Sequence, residues 1–194
     1  MKKIFLSPFI LLGFIFGTFF SFYIPKSQLL NYKKTPSPTV VTIKTYGIPL
    51  RITIPAINVD TVVEHVGKDA QGNMDVPKDA NNVAWYELGY KPGENGNAVI
   101  AGHLDTKTGP AIFYRLNDLH VGDDLTVVTD QNKKLVLTVI KKQIYTAEIF
   151  PIPTVFGPAS APLLNLITCT GVFDRTSEHY LDRVVVFTQL KTVL

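Results

Sequence analysis

The sequence predicts an all-β domain, a barrel or sandwich carrying one or two short helices, set behind an N-terminal transmembrane helix. Short β-rich runs recur along the chain, each closed by Gly, Pro, Asn or Asp. No long amphipathic period is present, and no strand alternates with a long helix as a parallel sheet would need. The first 24 residues stand apart as an uncharged apolar run behind two lysines.

That run, Ile4 to Ile24, contains no charged side chain. A helix of this length, rising ~1.5 Å per residue, crosses a hydrocarbon core of ~30 Å. Lys2 and Lys3 precede it and favour a cytoplasmic N-terminus, which leaves the remainder of the chain outside the cytoplasm. Tyr23 suits the far interface, and Pro8 sits in the first turns, where a missing amide donor matters least. A cleaved signal peptide is the alternative. The run exceeds the usual ~7–15-residue signal core and no A-x-A site follows it. Residues 25–46 hold Lys33, Lys34, Pro36, Ser37 and Pro38 with no sustained apolar period, and read as a linker. The folded domain is expected from Gly47 onward, over 47–194, with its last core strand ending near Leu190. At roughly 145 residues it has the common size of one domain with its own core.

Within it, Leu50–Ile54 alternates apolar and polar residues and stops at Pro55. Val59–Val66 is β-branched. Asn97–Ala101 is a short apolar run after the turn Pro92-Gly93-Glu94-Asn95-Gly96. Ala111–Leu119 has room for a helical turn or two after Gly109-Pro110. Leu125–Thr129 and Leu135–Ile144 flank Asp130-Gln131-Asn132-Lys133 as a hairpin. Leu163–Thr168 and Val184–Thr188 complete the series.

Apolar residues make up 46% and charged residues 18% of the 194, which excludes a disordered polymer. A net charge of +3 with no basic run beyond pairs such as Lys141-Lys142 gives nucleic-acid binding no support. With one cysteine, Cys169, the chain can form neither an intramolecular disulfide nor a multi-cysteine zinc site. The four histidines, His65, His103, His120 and His179, match no metal spacing, so neither metal nor cofactor is expected.

A lone thiol is often only a small buried hydrophobe. Here its setting favours chemistry. Leu163–Thr168 leads into Cys169, and Thr170-Gly171 follows, which places the thiol at the end of a strand before a turn. His103 likewise follows the apolar run Ala98–Ala101, and Arg183 opens Val184–Thr188. Strand ends at the rim of a rigid sheet are where functional side chains are commonly held. A thiol becomes a strong nucleophile as thiolate, which an imidazole or guanidinium favours. The imidazole then protonates a leaving amine, and the guanidinium donates to a carbonyl oxygen as it gains charge.

In the same order, Ile100-Ala101-Gly102-His103, Leu166-Ile167-Thr168-Cys169, and Arg183 before Val184-Val185-Val186 resemble the signature of the sortase family. The likeness extends over nearly the whole domain. Ile54–Asp60 resembles the family's opening strand, and Val83–Tyr86, Pro92-Gly93-Glu94, Gly109-Pro110-Ala111 and Gly122-Asp123 resemble markers of class F or its close relatives. The resemblance implies a β-barrel and a thiol transpeptidase of the cell surface. Such enzymes cut a motif of the LPXTG kind after its Thr and join the acyl group to an amine. It implies that Cys169 forms the thioacyl-enzyme, that His103 serves as acid and base, that Arg183 steadies substrate and oxyanion, and that Thr168 helps hold the acyl oxygen. The implied partners are surface proteins bearing a sorting motif and an amine acceptor, either a cell-wall precursor or a pilin lysine. The implied location is the cell membrane, spanned once.

Two departures and two rivals accompany this reading. The family often carries Thr four residues before the Cys, where this chain has Asn165. Arg175, in Phe173-Asp174-Arg175, competes with Arg183; Arg183 is preferred because a strand fixes a side chain more firmly than a loop. Asp105 is either an orienter of His103 or an exposed turn residue. The rival functions are a thiol hydrolase that uses water as acceptor, and a non-catalytic, membrane-tethered β-domain that binds peptide or wall material.

Overall fold

The computed structural model describes residues 44–194. The expected anchor and nearly all of the expected linker lie outside those residues. Among the described residues no helix is long and apolar enough to cross a membrane.

Eight strands close a barrel. They are β1 (Pro49–Ile54), β2 (Val59–Val66), β3 (Val83–Tyr86), β4 (Gly96–Gly102), β7 (Asp124–Thr129), β8 (Lys134–Thr146), β9 (Pro162–Asp174) and β10 (His179–Val193). Their order around the barrel is β1-β2-β3-β4-β9-β10-β8-β7. A small hairpin, β5 (Asp105–Thr106) with β6 (Gly109–Pro110), follows β4. Among the described residues helix is confined to α1 (Ile152–Phe156) and three single 3-10 turns. The all-β barrel with short helical inserts is therefore as expected. The Ala111–Leu119 stretch supplies only the 3-10 turn Leu116–Asp118.

The runs that read as continuously apolar belong to strands buried on both faces. Along β4, β9 and β10, Ala98, Ile100, Leu164, Leu166, Val184 and Val186 point into the barrel core with Trp85, Phe113 and Leu137. The alternate residues Val99, Ile167, Val185 and Phe187 point outward and form a second cluster with Val155 of α1. Tyr145, Phe150, Phe156, Tyr86 and Met74 cover that cluster, with Tyr86 and Phe156 edge to face at 5.6 Å. Fully burying side chains of this size contributes ~1.5–3 kcal/mol each.

Three features depart from the sequence reading. Val83–Tyr86, noted only as a motif, is a barrel strand parallel to β2. Neither Leu163–Thr168 nor Val184–Thr188 stops where its apolar run stops: β9 continues to Asp174 and β10 begins at His179. Cys169 and Arg183 therefore lie inside a ladder rather than at strand ends, because β9 and β10 stay paired as a hairpin through polar positions. The tight turn after β9 is held by Asp174, whose carboxylate accepts from the Thr176 and Ser177 amides.

Candidate active site

Three adjacent strands bring the expected residues into one row. In the antiparallel β9–β10 ladder Cys169 is directly opposite Arg183. In the parallel β4–β9 ladder Ala101 pairs with Ile167. Two residues further along both strands, the same register sets His103 beside Cys169. The hydroxyl of Thr168 donates to the Gly102 carbonyl at 2.8 Å and carries the alignment past the last ladder pair. In-register neighbours on adjacent strands share a face. Cys169 has the parity of Ile167, so the row lies on the outer face of the barrel wall and continues the second apolar cluster. His103 ends its strand as expected, and all three side chains are half-buried.

His103 is held from behind. Its Nε2 lies 3.2 Å from the carbonyl of buried Pro77. A carbonyl only accepts, so this nitrogen carries the hydrogen and Nδ1 is left to exchange a proton. Pro77 sits in the loop between β2 and β3. Glu64 of β2 fastens that loop: its carboxylate accepts from the Lys78 amide at 2.8 Å, the Asp79 amide at 3.2 Å and Asn82 Nδ2 at 2.9 Å. Burial raises the Glu64 carboxyl, but these donors outweigh it and hold the group below the usual range.

Arg183 Nη1 donates to the carbonyls of Tyr180 and Asp182 at 2.8 and 2.9 Å. That geometry depends on a bulge. Tyr180 pairs with Phe173 and Asp182 with Thr170, so Gly171 and Val172 together face Leu181 alone. Gly171 has φ +81°, and a Cβ there would stand 2.3 Å from Asp182 Oδ2. Glycine meets both demands.

The thiol is mainly neutral. Burial pushes Cys169 up, the Arg183 guanidinium pulls it down, and the Asp105 carboxylate pushes it up again, with a net rise. Asp105 does not act as expected. Among the described residues it makes no hydrogen bond to His103, nor is it a free turn residue. Half-buried in β5, it accepts from the Tyr180 hydroxyl at 2.5 Å. That bond first, then burial and nearby negative groups, pushes the Tyr180 phenol up to about 12.

The remaining candidates have plain positions. Thr168 is buried, on the parity opposite Cys169, and its hydroxyl braces Gly102. Arg175 is exposed in the β9–β10 turn. Asn165 is buried; its Nδ2 donates to Asn97 Oδ1 and to the Val155 carbonyl, clamping α1 onto the sheet. Tyr180, Pro77 and Glu64 escaped the sequence reading. Pro77 acts through a backbone carbonyl and Glu64 through backbone amides, so residue type gave no cue. Gly171, next but one to the cysteine, was a visible cue for a bulge. Among the described residues no cluster of His, Cys, Asp or Glu is arranged to hold a metal. A shallow cleft of about 380 Å³ lies elsewhere on the outer face, lined by Asn97, Lys141, Pro153, Leu163 and Phe187 among others, and includes none of the three.

The sequence model of the Sortase domain matches residues 52–191. Among solved structures, the chain is similar to sortase A of Listeria monocytogenes, at 17% identity and TM-score 0.58 over 76% of this chain and 90% of that one. It is similar to the sortase D5 transpeptidase of Clostridium perfringens, at 24% identity and TM-score 0.56 over 77% and 82%. It is also similar to sortase C-1 of Actinomyces oris, at 24% identity and TM-score 0.58 over 74% and 73%. At these identities the likeness is one of fold. No curated protein sequence matches the chain.

Proposed function

The chain belongs to the sortase family, and from that premise we propose that it is a membrane-anchored cysteine transpeptidase of the cell surface. In this reading it cleaves a C-terminal LPXTG-like sorting motif and transfers the acyl group to an amine, with Ile4–Ile24 as the single membrane span and the barrel outside the cytoplasm. The class F-like assignment rests on the motif series in the sequence.

The observation that carries the reading is the row His103, Cys169, Arg183 across β4, β9 and β10. Cys169 starts as a thiol, since burial disfavours the thiolate. As Sγ attacks the Thr carbonyl carbon, the thiol proton passes to His103 Nδ1. Arg183 has Nη1 engaged by two carbonyls, which aims the rest of its fork at the oxygen gaining charge. The tetrahedral adduct collapses, His103 gives its proton to the amide nitrogen, and the C–N bond breaks. An incoming amine reverses these steps on the thioacyl carbon and restores the thiol. The half-buried aromatic residues that cover the second apolar cluster, Tyr145, Phe150 and Phe156 among them, suit the apolar residues of a sorting motif.

Mass spectrometry tests the reading. Incubation with sorting-motif peptides should add the acyl portion to Cys169 and, with an amine present, yield the transfer product. Exclusive hydrolysis in the presence of amine would replace transpeptidase by thiol hydrolase. Absence of any adduct would remove both.

A further inference from the structure

The face around Cys169 is asymmetric. Toward the start of β9 it is apolar, with Ile167, Val99, Val185 and their aromatic cover. Beyond Cys169 it carries a carboxylate among aromatic rings. Asp105 lies two residues past His103, and Tyr180 lies three before Arg183. The bond between them therefore runs across β9 just beyond the nucleophile. The Tyr180 ring stands edge-on to Phe173 with centroids 5.1 Å apart. Asp105 in turn is close enough to Cys169 to push its thiol up.

We propose that Asp105, with Tyr180, forms the acceptor subsite, which binds the incoming nucleophile as a primary ammonium. This inference rests on the transpeptidase reading. Three observations support it. Among the described residues, Asp105 takes part in no salt bridge, and no donor is bonded to its Oδ1. The Tyr180 hydroxyl occupies Oδ2 and fixes the carboxylate in place. Aromatic faces beside a carboxylate are a favourable setting for an ammonium group.

The position also fits the chemistry. Acyl donor and acyl acceptor must approach Cys169 from different sides, and the apolar side suits the donor. On the thioacyl-enzyme the ammonium held by Asp105 loses one proton to neutral His103 Nδ1. The free amine attacks the thioacyl carbon, protonated His103 gives its proton to the Cys169 sulfur as the C–S bond breaks, and the second proton of the nitrogen passes to the now neutral His103. An amide, a thiol and a protonated His103 result, and His103 then releases its proton to solvent. By concentrating amine over water, the subsite sets the ratio of transfer to hydrolysis after acylation.

The experiment uses the full chain, a sorting-motif peptide chosen because it loads Cys169, and two acceptors: diglycinamide, an ammonium, and hydroxylamine, uncharged at neutral pH. In the Asp105→Asn variant the diglycinamide-to-hydroxylamine product ratio should fall about fivefold, the upper end of what one partly exposed charge pair contributes. Asp105→Glu should recover part of it. The ratio is internal to each reaction, so it does not depend on the fraction of enzyme folded. An unchanged ratio in Asp105→Asn overturns the subsite while leaving the transpeptidase reading intact. Failure of every peptide to load wild-type Cys169 overturns that reading and the subsite with it.

Discussion

Cys169 and Arg183 stand directly opposite each other on β9 and β10, and the guanidinium is the one group that pulls the thiol down against burial. Directly paired residues hold their Cβ atoms ~4.5–5.5 Å apart, so register sets the two side chains next to each other, and the Tyr180 and Asp182 carbonyls hold the guanidinium in place. In the proposed mechanism Arg183 thus serves two demands: it offsets the desolvation of the thiol, and it offers donors to the oxygen of the adduct. A lysine meets the first and fails the second, having no planar fork to share between the Tyr180 and Asp182 carbonyls and the substrate.

Arg183→Lys is expected to lower the acylation rate by ~10²–10³-fold, the usual effect of losing an oxyanion donor. Arg175→Ala should change it little, because Arg175 sits in the exposed turn. Single-turnover acylation of a sorting-motif peptide measures both. The reverse pattern would move the role to Arg175.

The thiol should titrate in a direction set by its neighbours. Cys169 is raised above the ordinary thiol range, so its alkylation by iodoacetamide should quicken as pH rises through a midpoint above that of a free cysteine. Arg183→Gln removes the lowering charge and should move the midpoint higher. Asp105→Asn removes a raising charge and should move it lower. Midpoints moving in the same direction in the two variants would contradict this electrostatic account.

Much of the candidate site was legible because its proposed chemistry resides in side chains. His103, Cys169 and Arg183 were found by residue type and by the strand each adjoins, and the barrel by turn-punctuated β runs. The lengths of β9 and β10 were not legible. Positions such as Thr170, Asp182 and Arg183 are polar, and only the partner strand keeps them extended. The Asp105–Tyr180 bond joins residues 75 apart in sequence, and neither residue type signals the other. Asn165 read as a departure from the family's Thr. In the structure it is a buried clamp between Asn97 and the Val155 carbonyl.

That clamp predicts a stability loss. Asn165→Ala would leave buried acceptors on Asn97 and Val155 unpaired and open a small void beside α1. Such losses cost ~1–3 kcal/mol for each unsatisfied buried group. Removing Asn165 Oδ1, itself buried without a partner, offsets part of that loss, and a fall of roughly 1–3 kcal/mol in urea-derived stability is expected. A change below about 0.5 kcal/mol, the size of an ordinary surface substitution, would show that the clamp is energetically idle.

The loop behind His103 gives the last prediction. Glu64 holds three donors of the Lys78–Asn82 segment, and through that segment the Pro77 carbonyl meets His103 Nε2. A depressed carboxyl contributes stability above its unfolded pKa and loses it as pH falls through the folded value. The Glu64 carboxyl lies below its usual range, so the loop should stay fastened at neutral pH and loosen only in acid. Glu64→Ala should loosen it at neutral pH. His103 would then lose the partner that fixes its tautomer, and turnover should fall by about tenfold, a part of the ~10²–10⁴-fold that a general acid–base group contributes. Because Glu64 reaches the imidazole only through the loop, nitrogen chemical shifts of His103 separate positioning from general destabilisation. The wild-type ring should show a protonated Nε2 and a bare Nδ1. The variant should show mixed tautomers while its barrel resonances stay in place. An unaltered Nε2 tautomer in Glu64→Ala would show that Pro77 holds the histidine without help from β2.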